Sequence, residues 1–388
     1  MNLKSILFYL LFSNHFLFAQ NDCYEIDLTK AKQENIKMSS VFDKIEYIPL
    51  ETTPDCLLKP RTRFYVTDKY IVAINVFDKT FLFDRKTGRF IHEIGREGQG
   101  PDEYKGFMLH FNPLDEKNEI IYAYDVTQYK GYDLKTGRLK TIVKVPLSKP
   151  ELTVASLWSL GDGRYITTIP NYTGHEDIGL KVFDKNGHVS ETYPNTLFYD
   201  PTHFKRDERP DAGFTLFYNL KGRLYMSPTF LRDTVYLVAN QRLIPHFVIS
   251  VGNKPFGKSE EKNSINNKKI LHLVRETDRF VFFTYGIGHY ALELYSGYYD
   301  KSTQKTYISS EQKHDENYGF FNDIDGFPSF TPLHINERQE VIGRIIPADI
   351  YEYVKHNELS SLSPRAKDLI KDMQEDDNPI VIIAQPKK

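Results

Sequence analysis

Several short segments of the 388-residue chain hold residue types at spacings that invite chemistry. Gly252-Asn253-Lys254-Pro255-Phe256-Gly257-Lys258-Ser259 fits the phosphate-loop pattern G-x-x-x-x-G-K-S. Such a loop needs a strand before it and a buried helix after it, whose N-terminal amides hold phosphate. An apolar stretch, Phe247 to Val251, precedes it, but Glu260 to Lys269 is polar apart from Ile265 and has no stripe to lay on a sheet. The segment therefore reads as a solvated loop. Gly95 to Gly100 runs G-x-x-G-x-G, with Pro101 where a helix would begin and Glu97, Asp102 and Glu103 placed to repel phosphate. It reads as a tight connection whose glycines permit positive φ. Arg96 there is open to an ion pair or a ligand, and Tyr104 is placed to cap a neighbouring core.

Asn322, Asp323 and Asp325 precede Gly326, and oxygen ligands at alternating positions suit Ca²⁺. The remaining spacing and terminal Glu of a calcium loop are missing. The other reading is a turn in which both carboxylates accept nearby amides. His203 to Asp211 is a charge-dense stretch carrying Arg206 and Arg209, and Gly286 to Tyr290 places His289 beside a turn. No H-E-x-x-H, G-x-S-x-G or C-x-x-C occurs, so no catalytic residue is assigned. The candidate ligand-binding residues are Arg96, Tyr104, Arg206, Arg209, His289, Asp323 and Asp325, with no metal site assigned.

The elements that must position these residues repeat. An apolar strand, an aromatic-Asp or Leu-Asp pair and a short polar turn recur as Phe83-Asp84 to Arg89, Asp133-Leu134 to Arg138, Phe183-Asp184 to His188 and Tyr299-Asp300 to Gln304. Asp followed by Gly, Asn or Ser between apolar runs is hairpin chemistry. Asp84, Asp133 and Asp184 are 49 and 51 residues apart, and Asp300 follows after 116, twice 58. A degenerate copy at Val235 to Arg242 fills the gap. A four-stranded unit of this length is a propeller blade. Blades are expected to begin near Lys69, Asn118, Leu157, Phe214, His272 and Phe320. The 27 Phe and 26 Tyr favour pleated strands over helices.

The last unit is irregular. Phe330 to Ile346 offers two strands, a helix starts at the N-cap Ser363 with Pro364 at its first position, and Pro379 to Ala384 is a final strand. Ile45 to Leu50 is a strand with no local partner. A ring left open would expose strand edges. The simplest closure puts Ile45–Leu50 and Pro379–Ala384 in one blade, with Pro49 at an outer or edge position.

Ile45 to Thr53, Gly95 to Tyr104 and Asp376 to Val381 resemble elements of the six-bladed β-propeller family abundant in Bacteroidota, itself similar to NHL-repeat propellers. The resemblance covers nearly the whole chain after residue 20. It implies the fold and an envelope location, and no reaction.

Lys4, the apolar Ile6 to Phe18 and the small Ala19 form a secretory signal over residues 1–20, leaving 21–388 as one propeller domain. The expected location is periplasmic or secreted. Cys23 and Cys56 are the only cysteines, and export permits a disulfide between them. Lipidation of Cys23 is the alternative, although Gln20-Asn21-Asp22 lacks the small and aliphatic residues that lipoprotein processing favours. A net charge of −2 supplies no basic excess for phosphate backbones, so a nucleic-acid partner is not expected. No apolar run after the signal is long enough to span a bilayer.

The expected function is a non-enzymatic binding or scaffolding module for an envelope glycan, peptide or protein, with no cofactor. The alternative is a hydrolase or lyase with an axial metal such as Ca²⁺, for which Asn112, Asn171, Asn219 and Asn322 would have to converge.

Overall fold

The computed structural model describes residues 23–60, 62–75, 78–104, 113–125, 128–146, 156–171, 173–203, 216–227, 233–252, 268–288, 294–310, 319–356 and 359–388. Among them lie six sheets, the blades of a β-propeller. From the axis outward, blade 1 is Arg63–Val66, Tyr70–Ile74, Thr80–Asp84 and Phe90–Ile94. Blade 2 is Leu114–Asp115, Ile120–Asp125, Gln128–Asp133 and Leu139–Lys144. Blade 3 is Leu157–Ser159, Arg164–Thr168, Ile178–Asp184 and Val189–Pro194. Blade 4 is Leu216–Leu220, Arg223–Ser227, Thr234–Ala239 and Arg242–Ser250. Blade 5 is Lys269–Glu276, Phe280–Ile287, Leu294–Asp300 and Lys305–Ser309. Blade 6 takes His334–Ile335, Val341–Ile345 and Ile380–Pro386 from the C-terminal part and Phe42–Pro49 from the N-terminal part.

The expected closure is present. Phe42–Pro49 pairs antiparallel with Ile380–Pro386, with Pro49 opposite Ile380 on the outermost strand. The sixth inner strand begins at His334 rather than near Phe320. Phe320 instead forms an isolated bridge with Phe330 ahead of the blade. Between the second and third strands of blade 6 lie helices Pro347–His356 and Pro364–Ile370. The Ser363 cap is as expected, its side chain accepting from Ala366 N. The first helix was not anticipated.

The repeated Asp builds the hairpin between third and fourth strands. Asp84 accepts from Lys86 N and Thr87 N, Asp133 from Thr136 N, Asp184 from Asn186 N and His188 N, and Asp300 from Ser302 N. Blade 4 replaces it with Asn240 and Gln241, both at positive φ, a two-residue hairpin turn. These turns also stitch blades together. Glu51 N donates to Gly88 O, Gly95 N to Gly137 O and Lys144 N to Lys185 O, each across one blade boundary. Gly88 sits at φ +70°, and a Cβ there would lie 1.9 Å from Pro49 O, so only glycine fits.

The core is six apolar clusters, one between each pair of neighbouring blades. Two further strands were not foreseen. Tyr24–Asp27 adds parallel to the outer strand of blade 4, and Lys32–Glu34 adds parallel to that of blade 5. With Phe42–Pro49 on blade 6, the N-terminal segment straps three consecutive blades along their outer edges and covers unpaired backbone groups.

Candidate functional site

The inner strands line two axial cavities, and Tyr65 and His334 border both. Leu114, Trp158 and Tyr218 border one and Arg275 the other, so all six blades reach the axis. Tyr65, Trp158, Tyr218 and Arg275 are buried. Tyr65 meets the His334 ring edge-on at 4.9 Å, and the Arg275 guanidinium lies 5.3 Å from the Tyr218 ring. Together these side chains plug the channel. Sequence reasoning missed them, since facing the axis depends on a register fixed only when six blades close.

On the side of the plug where the inner strands start is a cavity of about 330 Å³. Arg63, His272, Arg275 and Arg344 line it with apolar neighbours, and no described carboxylate does. Arg344 Nη1 donates to Thr62 O at 2.6 Å, and burial holds its pKa below the usual range. Burial also pulls Arg275 down to about 10. Burial first, then the Arg275 charge, pushes His334 down to about 3. The imidazole therefore stays neutral at the floor of the cavity. Its surface is only half-buried, because it faces the channel void while protein surrounds it on the other sides.

The opposite mouth is acidic. Glu116, Asn219, Asn336 and Glu337 line it. Burial raises Glu116 to about 7 despite Arg338 beside it. Asn219 donates to Glu337 at 3.2 Å. The Asn336 amide is committed, donating to Val66 O and Glu340 and accepting from Arg338 N and Glu340 N. Burial disfavours the Glu340 charge, yet bonds from Arg85 and Asn336 hold it near 2.

The family model for DUF4934, described as a domain of unknown function, matches residues 23–385. The chain belongs to this family. No curated protein matches it. A crystal structure from Bacteroides fragilis described as a "Putative exported protein" is similar, with TM-score 0.67 and 17% identity over 94% of this chain and 100% of that one. A DUF4221 member from Bacteroides vulgatus is similar at TM-score 0.52 and 12% identity over 92% of this chain and 100% of that one. At these identities the likeness bears on the fold alone. The DUF4934 assignment brings no reaction with it, and the NHL-repeat label finds no support in these matches.

Within this DUF4934 propeller the candidates from sequence occupy separate places. Arg96 is exposed in the link between blades 1 and 2. Its carbonyl accepts from Tyr104 N, and Tyr104 is fully buried between those blades against Tyr132. Glu103 accepts from Gly100 N at 2.8 Å and closes the glycine turn. Asp323 and Asp325 lie at the seam of blade 6. Ser39 N and Oγ donate to Asp323, while Ser363 and Arg365 donate to Asp325. Both carboxylates thus clip the N-terminal strap and a C-terminal helix to the ring, and an arginine occupies Asp325 where a cation would sit. Burial opposes ionisation of Asp325, but Arg365 and Ser363 hold its pKa below the usual range.

Arg206, Arg209, His289, Asn112 and residues 253–259 of the phosphate-loop pattern lie outside the described residues. The three described asparagines do not converge. Asn171 is buried in a loop of blade 3, where it donates to Leu197 O, and Asn322 donates to the Tyr47 hydroxyl. Of these three, Asn219 alone lines the axis. Cys23 is exposed and Cys56 buried, and both are free thiols.

Glu276 forms a second cluster beside a groove between blades 4 and 5. It accepts from Tyr218, and His246 and Lys301 lie 3.0 and 2.5 Å from its carboxylate. Every oxygen of this buried group is in use, which makes it a tie between blades.

Proposed function

We propose that this chain is an exported cell-envelope protein whose propeller binds a ligand at the axial face. The observation that carries the reading is the cavity at the starts of the inner strands, floored by a plug of aromatic, arginine and histidine side chains. A concave, largely preformed pocket with a few polar groups on an apolar wall is the usual form of a small-ligand site. The floor closes the channel, which favours retention over passage. The class of ligand is a glycan, a peptide or a protein segment of the envelope.

Export is supported by Lys4, the apolar Ile6 to Phe18 and Ala19. The description of the Bacteroides fragilis protein agrees with it. Among the described residues no helix is long and apolar enough to cross a membrane. Mature protein from the envelope is expected to begin near Gln20 or Asn21. An acylated Cys23 terminus would instead establish the lipoprotein form, and an intact Met1 in the cytosol would defeat export.

Binding is tested with glycan and peptide arrays. Saturable binding that is weakened by Tyr65→Ala on the floor and by Arg344→Gln on the wall supports the reading. Binding that both variants retain contradicts it.

A second reading, a hydrolase or lyase acting at the other mouth, is favoured by one observation. Glu116 is raised to about 7, the range useful to a general acid or base. It predicts turnover of a glycan or peptide with a pH profile governed by one group near 7, lost in Glu116→Gln. Binding with no turnover would leave the binding reading alone.

A further inference from the structure

Arg275 stands on the inner strand of blade 5 and is 2% exposed. Its Nη1 donates to Phe217 O at 2.6 Å. Its Nε is buried with no hydrogen-bond partner among the described residues, and no described carboxylate pairs with the guanidinium. The groups around it are the rings of Tyr218, Tyr65 and His334. A buried cation without a counter-charge is costly, and buried charges in proteins are normally paired. With Nη1 occupied and Nε shut off from the cavity, Nη2 is the nitrogen left to meet an oxygen of a carboxylate, sulfate or phosphate. The cavity it borders is also lined by Arg63, His272 and Arg344. Its volume of about 330 Å³ suits a molecule the size of a sugar acid.

Resting on the reading above, we propose that the axial cavity is an oxyanion site. It takes a small molecule, or the end of a larger one, whose carboxylate, sulfate or phosphate pairs with Arg275 through Nη2. The body of the ligand lies in the cavity under Arg63 and Arg344. The chain, at net charge −2, thus keeps a local cationic pocket on its axis.

The experiment is calorimetric titration of the purified protein with glucuronate, inorganic sulfate and inorganic phosphate, against glucose and chloride at matched ionic strength. At least one oxyanion is expected to bind saturably, and glucose and chloride are not. Arg275→Met should weaken that binding by at least about tenfold, since a charge-assisted pair is lost. Its melting temperature should be unchanged or higher, because an unpaired buried charge has been removed. Should Arg275→Met fold poorly, Arg275→Lys keeps the charge without the fork, and Arg63→Gln alters only the wall. Both are expected to weaken binding and remain folded. Binding of glucuronate over sulfate and phosphate would identify a carboxylate ligand, and the reverse an inorganic-type ester. No saturable oxyanion binding overturns the proposal, as does binding that all three variants retain. If the arrays find neutral glycans or peptides whose binding Tyr65→Ala and Arg344→Gln weaken while no oxyanion binds, the oxyanion site fails and the binding reading stands.

Discussion

At the scale of single residues, the axis is set by contacts that cross blades, with Arg275 of blade 5 against Tyr218 of blade 4 and His334 of blade 6. Asp84, Asp133, Asp184 and Asp300 were readable because each bonds amides two to four residues away, a chemistry contained in a short segment. Arg275 was not readable. It lies in Lys269–Glu276 with Lys269, His272 and Glu276, so its charge does not stand out, and nothing nearby tells that it meets Tyr218 from blade 4 and His334 from blade 6. Asp323 and Asp325 drew attention as oxygen ligands, but their partners come from residues 39, 363 and 365, far along the chain. Glu116 gives a residue-scale test. Its pKa is about 7 in the folded chain against 4.5 for an ordinary glutamate. The folded state therefore holds a proton that the unfolded chain releases, and stability falls as pH rises from about 4.5 to about 7. Glu116→Gln is expected to remove that loss. Its advantage over the parent in urea melts should grow across this window to on the order of 1–3 kcal/mol. An advantage that is flat with pH would show that Glu116 ionises normally.

At the scale of elements, four-stranded blades with Asp turns were expected and found, and the strap strands were not. Tyr24–Asp27 and Lys32–Glu34 are four and three residues long, and the second is wholly polar. Neither alternates for long enough to signal a strand. They are strands because each lies on the free edge of a blade already formed. The helix Pro347–His356 was hidden for a related reason. Most of its side chains are exposed or half-buried, and only Pro347 and Ile350 are buried. The strap is more than a cover, because Ile26 and Leu28 insert into the cluster between blades 4 and 5. Ile26→Ala should cost roughly 2–4 kcal/mol in chemical denaturation, as expected for a buried large-to-small change. It should also raise amide exchange in Arg242–Ser250, the strand it covers. A cost near zero would mean that the strap rests on the ring without stabilising it.

At the scale of the whole molecule, closure was legible because two apolar segments at opposite ends of the sequence lacked local partners. Blade 6 joins them, and its third strand, Ile380–Pro386, lies between Val341–Ile345 and Phe42–Pro49. Ending the chain at Asn378 removes that strand and leaves Phe42–Pro49 unpaired. The melting temperature is then expected to fall by more than about 10 °C with loss of cooperativity across all blades. A truncated protein that melts like the full chain would mean that the ring does not depend on this blade. The axis is where the ring and the proposed activity meet, since the plug exists only when six inner strands face one another. The most direct measurement is hydrogen exchange by mass spectrometry, with and without the tightest ligand from the arrays or the oxyanion titrations. Binding at the axis predicts slower exchange together in the inner strands Arg63–Val66, Leu216–Leu220, Lys269–Glu276 and His334–Ile335, which lie in four different blades. Protection confined to the outer strands or the N-terminal strap, with the inner strands unchanged, would contradict it.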